Sequence, residues 1–287
     1  MDTHTLNTDG ASIVYDVDGP LPPDDGRPAL LMVGQPMDAS GFRALASHFP
    51  DRTVVTYDPR GLGRSTRSDG QVSHSPTVQA QDLHAVIEAL GAGPVEVFAS
   101  SGGAVTALAL VTAYPGDVTT LVAHEPPLVG VLPDAELARR ASAAVQDVYR
   151  DRGWGAGMAA FLALTMWQGE FTEDYLAQPP PDPAGFGLPT EDDGSRDDPL
   201  LSDRSAAVTG YAVDVEALKA APTRVVIGVA EESGETFTGR TAVGTARLLG
   251  QEPVVFPSHH GGFADEDGGW PGKPREFAER LREVLGG

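Results

Sequence analysis

Short apolar runs recur along the first half of the chain, separated by longer segments with helical spacing. Residues 11–17 alternate apolar and polar positions, the period of a half-buried strand. Residues 29–33 and 53–57 are continuous apolar runs, suited to parallel strands buried on both faces. Between them, Phe42, Leu45, Ala46 and Phe49 recur at helical spacing, and Ser40 is expected to cap that helix. Ser75-Pro76 opens a second helix with Leu83, Val86, Ile87 and Leu90 on one face and Gly91 at its end. A strand at 95–99, a helix at 102–114 and a strand at 119–124 continue the rhythm. Strands alternating with helices in this way predict a mostly parallel sheet with helices on both faces.

The rhythm stops at Glu125-Pro126-Pro127. From there to about residue 221 the pattern offers helices at 134–149 and 154–167 and a Pro- and Asp-rich stretch at 178–203, but no strand. A strand at 223–229, a helix at 236–249, a strand at 253–256 and an amphipathic helix at 274–285 then follow. The expected organisation is one α/β core, residues 1–126 and 222–287, interrupted by a helical insertion at 127–221.

The segment Ala99-Ser100-Ser101-Gly102-Gly103 falls between a strand and a helix. A serine presented on so tight a turn needs small neighbours, the pattern G-x-S-x-G, and here Ala99 replaces the first glycine and Ser101 takes the nucleophile position. A hydroxyl is a weak nucleophile until a base within hydrogen-bond reach takes its proton. His124, His259 and His260 are the histidines that follow Ser101. The pair lies after the last strand, on the sheet edge where ligand sites of open parallel sheets form. His260 precedes Gly261-Gly262-Phe263, which lets backbone pack beneath it, and is preferred over His259; His124 ends a buried strand and reads as a neighbour of the acid.

With this elbow, the turn at 57–65, the His260 loop and the insertion all in order, the chain resembles the α/β-hydrolase superfamily over nearly its whole length. Within it, the chain looks like small bacterial serine esterases and, at Ser100-Ser101-Gly102 followed by His124-Glu125-Pro126, like the lactonases that open zearalenone. The resemblance implies a mostly parallel sheet of about eight strands under a helical cap formed by 127–221. It implies an oxyanion hole from the Gln35 and Gly102 N–H groups. For the acid, many members of the superfamily point to Glu231 or Glu232, whereas the lactonases and the haloalkane dehalogenases point to Glu125. Glu125 is preferred, with the other two as alternatives. A dehalogenase is excluded because its nucleophile is Asp. Met37, Trp154 and Trp167 are expected to line the substrate pocket.

Composition narrows the function further. Forty-one acidic against 20 basic residues leave a net charge of −21, which disfavours nucleic acid and anionic membranes as partners. The absence of cysteine excludes disulfides, zinc thiolate sites and a Cys nucleophile. The start of the chain lacks the features of a signal peptide, so a cytoplasmic protein is expected. Gly61-Leu62-Gly63-Arg64 opens no helix and is not read as a dinucleotide site. Asp192, Asp193, Asp197 and Asp198 lack metal-ligand spacing and are read as a solvated, mobile loop.

The expectation is therefore a serine esterase or lactonase with Ser101, His260 and Glu125 at its centre, acting without metal or cofactor on a moderately sized apolar small molecule. Its kcat/KM should have an acidic limb where ordinary imidazoles titrate, at roughly pH 6–7. Competing expectations are cofactor-independent C–C cleavage or oxygenation of a polyketide-like compound, and a ligand-binding protein without turnover. The oligomeric state is open, a homodimer included.

Overall fold

The computed structural model describes residues 1–265 and 270–286. Strands β1 (Asp2–Thr8), β2 (Ala11–Asp18), β3 (Leu30–Val33), β4 (Val54–Tyr57), β5 (Thr66–Arg67), β6 (Val95–Ser100), β7 (Val118–His124), β8 (Arg224–Ala230) and β9 (Val254–Phe256) form one sheet. Their main path runs β1-β2-β4-β3-β6-β7-β8-β9, and β5 pairs with β2. The pairs of β2 with β1, β4 and β5 are antiparallel; every pair from β4 to β9 along the path is parallel. A mostly parallel sheet of about eight strands is what the resemblance implied; the edge strand β1, which the sequence pattern did not mark, completes the eight-strand path, and β5 is a short addition to it.

Alternation along the strands sends side chains into two cores. In β3, Leu31 and Val33 join Val97, Ala99 and Leu121 on one face; Leu30 and Met32 join Phe98 and Val122 on the other. The first face is covered by helices α2 (Pro76–Leu90) and α3 (Gly102–Ala113) and by a helix after β8; the second is covered by α1 (Arg43–Ser47) and the C-terminal helix. The entry to α1 corrects one expectation. The carboxylate of Asp38, not Ser40, caps the 3-10 turn Ala39–Phe42 by accepting the Ser40 N–H at 2.9 Å.

Between β7 and β8 the described chain contains helices only: α4 (Ala135–Met166), α5 (Glu173–Leu176), α6 (Ala206–Thr209) and α7 (Val215–Ala220), with short 3-10 turns. Helix α4 is two helices joined at Gly153, whose φ of 82° and ψ of −172° break the ladder. A Cβ at Gly157 would lie 2.6 Å from Tyr149 Cβ, so the two halves fold tightly against each other. Helices α8 (Phe237–Leu249) and α9 (Pro274–Leu285) complete the core. Among the described residues no helix is long and apolar enough to cross a membrane.

Candidate active site

Ser101 ends β6 and begins α3 with φ 56° and ψ −127°, a conformation that a non-glycine residue adopts only where its surroundings hold it. Its N–H donates to the His124 carbonyl at 2.9 Å, tying the ends of β6 and β7 together. Ala99, in place of the usual glycine, is fully buried and keeps regular register with Val33 and Ala123, so the turn accommodates its methyl group. The glycines after the serine allow no such replacement without movement. A Cβ on Gly102 would sit 2.8 Å from the Gln35 carbonyl oxygen, and one on Gly103 would sit 2.4 Å from that of Val33. The start of α3 is thus pressed against the turn after β3, and Gln35 and Gly102 come together beside Ser101.

Glu125 follows β7 with φ 48° and is completely buried. Its carboxylate accepts the Ala230 N–H at 2.9 Å through Oε1 and the His260 Nδ1–H at 2.5 Å through Oε2. Burial alone would push this carboxyl's pKa up; the hydrogen bond and positive charge of His260, with a hydroxyl bond from Ser233, outweigh it and hold the group below the ordinary carboxylate range. With Nδ1 donating to Glu125, Nε2 is the basic nitrogen of His260.

The neighbouring histidine is differently committed. His259 Nδ1 accepts the Gly261 N–H at 3.1 Å, which leaves Nε2 to donate to the Pro271 carbonyl at 3.2 Å. Both of its nitrogens are occupied. His124 is buried in a box of Phe98, Phe256, Phe263 and Phe277, with neither ring nitrogen hydrogen-bonded. Burial pushes its pKa down to about 4. It stacks at 6.1 Å from the His260 ring and remains neutral beside it.

Ligand atoms of His124, Glu125 and His260 lie within 4.8 Å of one another, a spacing that would admit a metal ion. The 2.5 Å bond between Glu125 and His260 leaves no room for an ion between them, and the phenyl box closes off His124. This donor set fits a hydrogen-bonded pair better than a metal centre.

Ser101, Gly102, Gln35 and His260 line one cavity of about 420 Å³ between the sheet edge and the helices that follow β7. Glu125 stands behind His260. Of the alternative acids, Glu232 lines the mouth and faces Lys273 at 3.8 Å, while the Glu231 N–H extends the pairing by donating to Phe256 O. The three residues expected in the pocket lie elsewhere. Met37 packs under Gly41, Trp154 Nε1–H donates to Asp198, and Trp167 rests on Tyr175 with its Nε1–H on the Glu170 carbonyl. The apolar wall is instead Val145, Phe161, Leu164, Leu201, Val208 and Phe237. Helical periodicity marked α4 as amphipathic without revealing which side meets the sheet.

One acidic residue has a role the sequence did not disclose. Asp198, expected in a solvated loop, accepts from the Leu200 and Leu201 N–H groups and from Trp154, and its own N–H donates to the Tyr149 hydroxyl. It fastens the wall at Leu200 and Leu201 to both halves of α4.

The family model for the alpha/beta hydrolase fold matches residues 29–153, which include the Ser101 turn and Glu125. Over 286 residues the chain is 28% identical to an uncharacterized hydrolase, YraK, of Bacillus subtilis strain 168, covering 98% of this chain and 95% of that protein. It superposes on a putative aryl esterase from Burkholderia cenocepacia with a TM-score of 0.64 at 19% identity, covering 99% of this chain and 98% of that one. It superposes on a thermophilic esterase from Thermogutta terrifontis with a TM-score of 0.63 at 20% identity, over the same shares. With a parallel sheet that ends in a serine-bearing turn, and with these similarities along its length, the chain has the α/β-hydrolase fold.

Proposed function

We propose that the protein is a serine hydrolase that cleaves uncharged carboxylic esters or lactones through an acyl-enzyme. Ser101 Oγ attacks the carbonyl carbon while His260 Nε2 takes its proton. Glu125 holds the imidazole in the tautomer that leaves Nε2 basic and stabilises the imidazolium that forms. The Gln35 and Gly102 N–H groups stabilise the tetrahedral oxyanion. Collapse expels the alkoxide, which His260 protonates. In the second half, His260 deprotonates a water that attacks the acyl-enzyme, the acid departs, and the proton returns to Ser101.

The observation that carries this reading is the Glu125–His260 hydrogen bond behind a cavity that also exposes a strained Ser101. The hydrolase and esterase names of the similar proteins support it. Residues 127–221 act as the cap, supplying Val145, Phe161 and Val208 to the wall. No Lys or Arg lines the cavity among the described residues, and about 420 Å³ suits a small, largely apolar acyl group.

The test is hydrolysis of a panel of neutral short-chain esters and lactones. Ser101→Ala and His260→Ala should each lower kcat by about 10³–10⁶, and the double variant should be no worse than either single one. Turnover that survives Ser101→Ala would point to chemistry that does not use the serine.

A further inference from the structure

Because His260 returns its proton to the leaving oxygen, the alcohol portion of an ester lies on the His260 side of Ser101, away from the apolar wall under α4. The group on that side at the cavity mouth is Trp270, whose surface is 58% exposed although it lines the same cavity as Ser101 and His260.

Its position is built. The His259 ring stands 5.2 Å from the indole at 34°, and both nitrogens of His259 are committed to the backbone, one of them at Pro271. Lys273 N–H donates to the Gly262 carbonyl at 2.7 Å. A Cβ at Gly272 would lie 2.5 Å from the Ala264 oxygen and 2.8 Å from that of Gly262, so only glycine lets this strand of chain press onto the His260 loop. An indole left half in water at the mouth of an apolar cavity offers its face to a flat apolar group, since stacked rings gain beyond simple area burial.

We infer that Trp270 is a specificity-determining residue that receives the alcohol portion of the substrate, and that this portion is uncharged and aromatic. The inference rests on the ester-hydrolase reading above and extends it to the leaving group.

The experiment compares 2-naphthylmethyl butanoate with ethyl butanoate, which share an acid and have alcohols of similar leaving ability. Trp270→Ala should raise KM for the naphthylmethyl ester about tenfold with kcat nearly unchanged, leave the ethyl ester unaffected, and be largely rescued by Trp270→Phe. Equal changes for both esters, or none for either, would overturn the inference. A second measurement does not need turnover: in Ser101→Ala protein, calorimetric binding of 2-naphthylmethanol should weaken about tenfold on adding Trp270→Ala. If neither ester is hydrolysed, the hydrolase reading fails while the binding comparison still decides the role of Trp270; unchanged affinity there would refute it.

Discussion

Glu125 shows most clearly what a single residue contributes. A carboxylate sealed from water costs several kcal/mol unless hydrogen bonds replace its hydration, and the Ala230 N–H, Ser233 and His260 supply them. Glu125→Gln should therefore lower kcat by about 10³–10⁴ by disturbing the His260 tautomer, whereas Glu232→Gln should change it less than twofold. Steady-state kinetics of the two variants decides between them, and equal losses would contradict the assignment. That Ser101 and His260 meet at one sheet edge was legible from residue type and strand position, whereas the choice of Glu125 over Glu231 and Glu232 came from the resemblance; the structure pairs Glu125 with His260. The aromatic residues of the pocket were not legible, because periodicity gives a helix its apolar stripe but not the neighbour that covers it. Trp154 thus turned to Asp198, and Phe161 took the place in the wall.

Among the elements, the buried strands and their helices were readable from runs such as those of β3 and β6, since both faces of a parallel strand must be apolar. Strand β1 was missed because it is an edge strand exposed on most positions, with only Leu6 packing inward, and β5 because two residues carry no period. The two-helix reading of α4 corresponds to the break at Gly153. The clamp at Asp198 belongs to this scale, since one carboxylate holds α4 and the cavity wall in register. Asp198→Ala should lower thermal stability by roughly 1–3 kcal/mol and raise KM several-fold while kcat changes little. Crystallography or ligand-binding assays on the variant would locate the change, and an unaltered KM would show that the wall holds without the clamp.

For the molecule as a whole, two buried histidines make the fold sensitive to acid. Burial, aided at His74 by Arg67 and Arg204, holds both His74 and His124 at about 4, against about 6.5 in an unfolded chain. Between those values the unfolded chain binds protons that the folded chain refuses, so stability is full above the unfolded value and falls as pH drops toward 4. Each histidine contributes a slope of up to about 1.4 kcal/mol per pH unit. Glu125, with its pKa lowered, adds a loss in the same direction as pH falls through its folded value. Denaturant titrations from pH 7 to 4 should show this decline, and His124→Phe, which matches its phenyl surroundings, should flatten it. A slope identical to that of the wild-type protein would mean that His124 takes up no proton on unfolding.

The claim on which the rest depends is that Ser101 is an activated nucleophile, and the most direct test is intact-mass spectrometry of the folded protein after exposure to a fluorophosphonate, alongside Ser101→Ala and His260→Ala. The account expects one adduct, mapped to Ser101, absent from the serine variant and formed far more slowly in the histidine variant. A folded protein that takes up no label, or takes it up elsewhere, would contradict it.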